Sequence, residues 1–398
     1  MKHVASSMVI LGAVCAQAIE PPGWPELKQR LLDHPNLRVA RDNAGDTRNV
    51  EAHAGKRPLP VVELEVENFG GTGDAAGFSR SSVGLWVGTG FRSGDVAGAE
   101  RALAREEALS AGRDTLLARR DLLWQVRWIW EDWLQARWKA SLLDSNASDL
   151  QSWESALEAA RLAGRAEPWE VSQVRADRIA LEGLSRAIRD RATASWAALI
   201  AHGAQATEPV ETEEPAALGA PGSGGGISPD SVRMVGEVER ARAEAHLATE
   251  QARPGVDAAL GVLTDAATGS VGLGARVAVP LPPWNRIGME GARARALAQR
   301  VRRSAELAGW HRTQERERLA REIEASHRAW ANLVDTVVPA RLSAAASAMA
   351  AYRRGAIPPE TVGRMRDGVW RTRLEALERL ESLRRLQLEL RNLEGVEP

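Results

Sequence analysis

The sequence is short of the residues on which several common classes of protein depend. It has 398 residues, but only one Cys, three Phe and one Tyr, and its 52 Lys and Arg nearly balance its 53 Asp and Glu. A single Cys excludes a disulfide framework and a Cys-ligated zinc site. A net charge of −1 gives no electrostatic footprint for nucleic acid. The abundance of Ala, Arg, Glu and Leu favours long, thin helices over compact aromatic cores.

Long apolar runs are missing as well. The run over 4–18 has about 15 residues, whereas a helix that spans a bilayer needs about 20. It ends in Ala16-Gln17-Ala18, the small-x-small pattern that a signal peptidase reads, so we predict a signal peptide over 1–18 and no transmembrane helix. A lipidated Cys15 remains the alternative, although Val14 makes a poor lipobox.

The chain contains a tandem repeat. The segment 161–171, with Gly164, matches the segment 352–362, with Gly355, at an offset of 191 residues, and two leading prolines are offset by 194. This period predicts a first repeat over 19–203 and a second over 227–394. The Glu-, Pro-, Gly- and Ala-rich stretch 204–226 is the predicted linker between them.

Each repeat is predicted to contain a helix, two short alternating segments, a very long helix, a Gly-Pro break and a last helix. The predicted helices cover 24–54, 95–162, 168–202, 230–252, 287–351 and 359–393. At a rise of 1.5 Å per residue the long ones would measure roughly 100 Å, so we expect coiled-coil-like hairpins. Pro339 is expected to kink the second of them. Near-heptad spacing is shown by Leu116, Leu123, Ile129 or Trp130, and Leu134.

The alternating segments predict β-hairpins over 60–90 and 256–280. In the first, Val62, Leu64 and Val66 alternate with Glu63, Glu65 and Glu67. Strands of about nine residues, apolar on one face and small or charged on the other, are typical of a membrane β-barrel with a watery lumen. The predicted lumen residues are Glu63, Glu65, Glu67, Asp257 and Arg276. Half-buried hairpins in a soluble protein remain the alternative.

The need to close a barrel bears on the choice between a membrane β-barrel and half-buried hairpins in a soluble protein. Open sheet edges are not tolerated in lipid, and bacterial barrels begin at 8 strands. Four strands therefore require several chains to share one barrel.

Three segments carry a resemblance to a known family: His34-Pro-Asn-Leu-Arg-Val-Ala-Arg41, Leu64-Glu-Val-Glu-Asn-Phe-Gly-Gly71 and Val279-Pro-Leu-Pro-Pro-Trp-Asn-Arg286. In order, and with the repeat, they resemble the TolC-type outer membrane efflux factors, in particular their heavy-metal (cation efflux) branch. The resemblance implies an α+β membrane protein whose homotrimer forms a β-barrel and a periplasmic helical tunnel. It also implies a passive exit duct for heavy-metal cations, joined by a periplasmic adaptor protein to an inner-membrane resistance-nodulation-division pump.

The resemblance also implies two kinds of site. The periplasmic tips that would contact the adaptor correspond to Gly164, Arg165, Ala166, Glu167, Gly355, Ala356 and Ile357. The candidate gate comprises Glu170, Glu360, Thr361, Arg364 and Asp367. Thr361 and Arg364 stand where family members commonly carry acidic rings, a departure that puts a cation-binding constriction in doubt. The alternative is that the tips only turn the chain.

The residues predict neither an enzyme nor a cofactor or metal site. The seven His include no close metal-spaced pair, and no Ser-His-Asp order or phosphate loop is evident. A row of tryptophans is interpreted as packing residues between helices: Trp124, Trp128, Trp130, Trp133 and Trp138. His34 is expected to cap a helix. Two functions remain open beside the duct: export of protein, drug or polysaccharide by the same fold, and a soluble periplasmic coiled-coil scaffold.

Overall fold

The structure is a computed structural model that describes residues 24–56, 59–67, 81–91, 95–204, 228–253, 255–265, 268–279 and 284–398. The predicted signal peptide, nearly all of the predicted linker and part of the first hairpin loop lie outside these ranges. The same holds for the end of the motif at 64–71 and for the prolines of the motif at 279–286.

Eight α-helices and four strands lie within the described ranges. In chain order they are α1 (Trp24–Leu31), α2 (Pro35–Glu51), β1 (Val61–Glu67), β2 (Ser82–Phe91), α3 (Val96–Leu162), α4 (Pro168–Ala201), α5 (Pro229–Gln251), β3 (Val256–Asp265), β4 (Ser270–Ala278), α6 (Trp284–Asn332), α7 (Val338–Arg353) and α8 (Pro359–Glu394). The long α3 contains no proline and is rich in strong helix formers. No helix of the described ranges is both long and apolar enough to cross a membrane.

Two predicted helices are interrupted. The helix predicted over 24–54 is two helices, because Pro35 begins a new helix as its first residue. The backbone N–H of Asn36 donates to Nδ1 of His34 at 3.3 Å, which confirms the capping role of His34. The helix predicted over 287–351 contains a π turn, Leu333–Val337, just before Pro339. A proline ring clashes with the carbonyl four residues earlier, and the wider turn relieves that clash.

The chain divides into two compact units, each with segments from both predicted repeats. The helical unit comprises Met1–Arg38, Leu117–Pro229 and His311–Pro398. The sheet unit comprises Val39–Leu116 and Asp230–Trp310. The sequence repeat is therefore not a division into two structural domains, because each compact unit is built from corresponding parts of the two repeats.

Tryptophan supplies the core of the helical unit. The ring centroids of Trp130 and Trp133 on α3 lie 5.1 Å apart, and Trp133 lies 5.1 Å from Trp196 on α4. Trp24 of α1 packs edge-on against Trp130 at 6.1 Å. The interpretation of the tryptophan row as packing residues is confirmed. Among the heptad residues, Leu123, Trp130 and Leu134 are buried, whereas Leu116 is exposed within the single chain.

A buried ion cluster joins α3 to α8 in this unit. The guanidinium of Arg384 donates to both carboxylate oxygens of Glu131, at 2.9 and 3.0 Å, and Arg127 donates to Glu131 at 2.7 Å. All three residues are buried. Burial by itself would raise the pKa of Glu131, but the charges and hydrogen bonds of Arg384 and Arg127 hold that pKa below its ordinary value. Burial lowers the pKa of Arg127, against the opposing attraction of Glu131.

Glu131→Gln should destabilise the protein at neutral pH by about 3–5 kcal/mol, because it leaves buried guanidinium groups without a counter-charge. A carboxyl with a lowered folded pKa contributes stability above its unfolded pKa, about 4.3, and loses it as pH falls further. The deficit of the variant should therefore stay constant from pH 7 down to about pH 4.3 and shrink below that pH. The measurement is the urea midpoint of both proteins between pH 7 and pH 3. Glu158→Gln, in an exposed pair with Arg161, is the control and should change little. Equal midpoints for Glu131→Gln and the parent at pH 7 would contradict the assignment.

Candidate functional site

The two hairpins join into one antiparallel sheet with the strand order β1-β2-β3-β4. The register places residues of like chemistry side by side. One face aligns Leu64, Leu85, Val262 and Leu273, and the other aligns Glu63, Trp86, Gly261 and Gly274. Successive side chains of a strand point to opposite faces, so the whole sheet has an apolar face and a polar face.

The apolar face is exposed. Leu64 of β1 is 66% exposed, Leu260 of β3 is 71% exposed, and Leu273 of β4 is 91% exposed. Further exposed members are Val62, Val66, Val83, Leu85, Val87, Val262, Val271 and Val277. A contiguous apolar surface of this kind marks an interaction with lipid or protein. Strands β1 and β4 are the edges of the sheet, and each has one side without a strand partner among the described residues.

The polar face carries all five residues that were predicted to line a lumen. Glu63, Glu65 and Glu67 alternate along β1, and the register puts Asp257 and Arg276 on the same face. Arg276 of β4 forms ion pairs with Glu65 at 2.7 Å and with Glu63 at 3.4 Å. No pattern in the sequence predicted this pairing between the two edge strands, or the burial of Trp86 beneath it.

The predicted tips are two equivalent helix C-terminal turns. Gly164 and Gly355 follow α3 and α7 with φ of +71° and +74°. In the first turn, backbone N–H groups donate from Gly164 to Arg161 (2.9 Å) and from Arg165 to Ala160 (2.8 Å); in the second, from Gly355 to Tyr352 (2.8 Å) and from Ala356 to Ala351 (3.0 Å). This pair of bonds is the Schellman motif, which satisfies the last helix carbonyls. The same bonds recur 191 residues apart, as the repeat predicts.

The two tips share a small apolar core. Trp153 of α3, Val171 of α4 and Val362 of α8 are buried there, and the half-buried tip residues Ala166 and Ile357 pack against them. Gly164, Arg165, Glu167, Gly355 and Ala356 are exposed above it. The core explains how the tips are held in place while their outer residues stay free.

Two contacts near the tips were not predicted. Arg366 of α8 donates to the backbone carbonyl of Asp149 on α3 at 2.8 Å, with its guanidinium 5.7 Å from the ring of Trp153. Burial lowers the pKa of Arg366, and the Asp149 carboxylate opposes that shift. The hydrogen bond between Arg366 and Asp149 joins segments 217 residues apart, which no local pattern can reveal. Trp169, just after the first tip, was not predicted as a site residue either, and it is 59% exposed.

The candidate gate residues lie in two places. Glu170 accepts a bond from the backbone N–H of Glu167 at 2.8 Å and so completes the start of α4. On α8 an exposed stripe alternates in charge: Glu360 lies 3.8 Å from Arg364, and Asp367 lies 2.8 Å from Arg371. Thr361 is half-buried beside this stripe. In the described part of the chain, no group of three or more His, Cys, Asp or Glu side chains could hold a metal ion.

No protein-family description and no curated protein matches the sequence. Solved structures do match in three dimensions. The outer-membrane channel OprN aligns with a TM-score of 0.74 at 14% identity, over 94% of this chain and 90% of its own. The outer membrane protein VceC from Vibrio cholerae aligns with a TM-score of 0.73 at 15% identity, over 94% and 97%. CusC, described for transmembrane channel formation, aligns with a TM-score of 0.71 at 15% identity, over 98% and 96%. The chain has the fold of these channels, which confirms the predicted long helical hairpins with two β-hairpins.

Gly164→Ala and Gly355→Ala should each lower the free energy of unfolding by about 1 kcal/mol. A Cβ at either position would meet no atom within 4 Å, so the cost is backbone strain at positive φ alone. Gly183→Ala is the matched control, because Gly183 lies inside α4 with equally open space and no positive φ. That change should stabilise the protein by roughly 0.5–1 kcal/mol. Urea unfolding of the three variants measures these differences, and stabilisation at all three positions would contradict the role of the tip glycines.

Proposed function

We propose that this protein is the outer membrane exit duct of a tripartite efflux system. Three copies form it: their sheets close one twelve-stranded barrel in the outer membrane, and their helical hairpins form a tunnel in the periplasm. The duct catalyses nothing and needs no cofactor. It passes its cargo from an inner-membrane resistance-nodulation-division pump, through a periplasmic adaptor, to the exterior.

The observation that carries this proposal is the four-stranded sheet with one exposed face that is apolar except for Thr89 and Thr264. In water such a face would drive aggregation, whereas in a bilayer its apolar side chains contact the lipid chains favourably. The unpaired edges of β1 and β4 cannot stay open in hydrocarbon. Pairing β4 of one copy with β1 of the next removes every edge. The likeness to OprN, VceC and CusC supports the same arrangement.

The adaptor is proposed to bind at the tips. Both tips are exposed, rigidly closed turns that rest on one apolar core, and Leu162 and Trp169 add exposed apolar surface beside the first. A small rigid patch with an aromatic side chain suits the docking of another helical hairpin. The gate is proposed to lie on the α8 stripe, where Glu360 and Asp367 each face an arginine of the same helix.

Cations are the proposed cargo, and heavy-metal cations in particular. The polar face carries carboxylates on β1 and β3 and one guanidinium on β4. Three copies around one lumen would multiply this excess of negative charge and concentrate cations there. The resemblance to the heavy-metal branch points to the same cargo.

Leu64→Arg should abolish the outer membrane trimer. A cation on the lipid face costs about 2–4 kcal/mol near the bilayer centre, once for every chain in the barrel. Leu64→Ala keeps the face apolar, and Glu65→Gln changes only the polar face, so both should assemble normally. Heat-modifiable trimer in outer membrane fractions is the readout. If Leu64→Arg and Glu65→Gln assemble equally well, the sheet does not face lipid as proposed. A parent chain that remains soluble without detergent would favour the periplasmic scaffold.

Gly355→Trp should leave the trimer intact and abolish efflux-dependent resistance to heavy-metal salts. A Cβ at residue 355 meets no atom within 4 Å, so backbone strain at positive φ should lower the stability of each chain by only about 1 kcal/mol, whereas the bulk of the indole at the exposed tip blocks the adaptor. Gly183→Trp adds the same bulk to an exposed position of α4 and should keep resistance. Trimer abundance and growth of a strain that lacks other ducts are measured together. Resistance that survives both Gly164→Trp and Gly355→Trp would mean that the adaptor binds elsewhere.

A further inference from the structure

Trp86 lies flat on a floor of glycines in the polar face of the sheet. A Cβ on Gly261 would come within 2.7 Å of the indole atoms Cδ2 and Cε3, one on Gly274 within 2.8 Å of Cη2, and one on Gly84 within 2.7 Å of Nε1. These glycines belong to three adjacent strands. Because they have no side chains, the indole can rest directly on the backbone, and Trp86 is only 6% exposed.

Arg276 covers this indole. Its Cζ atom lies 5.1 Å from the ring centroid of Trp86, and its Nη2 atom donates to Oε1 of Glu65 at 2.7 Å. Strands β1 and β4 are the two edges of the sheet, which would lie roughly 14 Å apart if the sheet were flat. The ion pair between them therefore crosses the whole width of the polar face, above Trp86. The guanidinium is fixed in position by the ring below it and by the carboxylates at its end.

Arg276 is the one basic residue within the four strands. The register surrounds it with carboxylates on the same face: Glu63, Glu65, Glu67, Asp257 and Asp265. A single cation held at a fixed place among these charges has a large effect on the local potential. Without this guanidinium, all the charged groups on this face of the four strands would be carboxylates.

We propose that Arg276 is a specificity-determining residue of the duct, which sets the balance between cations and anions in the lumen. This inference rests on the proposed function, since it requires the polar face to line the pore. Trp86 and Glu65 are the positioning residues. Three copies place three fixed guanidinium groups at one level of the barrel. These groups offset part of the attraction that the carboxylates exert on cations at that level.

The test measures the electrostatic potential beside Arg276 through the reactivity of an introduced cysteine. Ala259 of β3 lies directly across from Arg276 in the register, on the polar face. In the Ala259→Cys protein, outer membrane samples react with a cationic methanethiosulfonate, the trimethylammonium-ethyl reagent, and with an anionic one, the sulfonato-ethyl reagent. The ratio of the two rates reports the charge beside residue 259 and does not depend on a distant gate. The parent protein, which lacks the Ala259→Cys change, is treated with the same reagents and shows any reaction at Cys15.

Arg276→Gln in the Ala259→Cys protein should raise the cation-to-anion rate ratio about fivefold, since each reagent responds in the opposite sense to the loss of one charge. Arg276→Lys should stay within about twofold of the parent, because it keeps the charge. The double change Arg276→Gln/Glu65→Gln restores the net charge and should bring the ratio back. An unchanged ratio in Arg276→Gln overturns the proposal. Should Arg276→Gln fail to assemble, Arg276→Met in the Ala259→Cys protein gives the same test, because it removes the charge and keeps most of the side-chain length: the ratio should rise likewise, and an unchanged ratio overturns the proposal.

Leu260→Cys separates this inference from the proposed function. Leu260 lies one residue further along β3, on the apolar face. A thiol there faces lipid and should react with neither charged reagent. If the thiols at 259 and 260 react alike, the sheet does not form a barrel wall and the proposed function fails. If only residue 259 reacts and Arg276→Gln leaves its ratio unchanged, the duct stands and the role of Arg276 alone fails.

Discussion

The exposed apolar face of the sheet is the constraint on which the rest of the molecule depends. A four-stranded sheet with Leu64, Leu260 and Leu273 on one side has no stable place in water as a single chain. Its edge strands also carry unpaired backbone groups, which hydrocarbon does not tolerate. Under the proposed function both needs are met by other copies of the chain and by lipid, so the sheet unit would acquire its final environment only in an assembly.

The helical unit solves a different problem, because its sequence offers almost no Phe or Tyr for packing. Tryptophans on α1, α3 and α4 take their place, with ring centroids 5–6 Å apart. The cluster of Arg127, Glu131 and Arg384 then fixes one alignment of α3 against α8. A buried carboxylate that must meet two guanidinium groups rejects a helix shifted by one turn, whereas apolar side chains would accept it. Packing gives this unit its stability, and the ions give it a unique register.

The alternation of the strands could be predicted from the sequence because it is a local property. Glu63, Glu65 and Glu67 identify the polar face of β1 by their spacing alone, and the long helices follow from composition and the absence of proline. The contacts of Arg276 with β1, and of Arg384 with Glu131, could not be predicted in this way. Both join residues more than 200 positions apart.

The open space around the tip glycines has a consequence for how the protein can evolve. A Cβ placed on Gly164 or Gly355 meets no atom within 4 Å, while the buried core beneath them holds both turns. Substitutions on the outer surface of the tips therefore act weakly on folding. If the adaptor docks at the tips, as proposed, natural variation can reshape these few exposed residues and change which partner is recognised, without first having to find compensating changes in the helices. Recognition and folding are in this sense separate traits, open to independent selection.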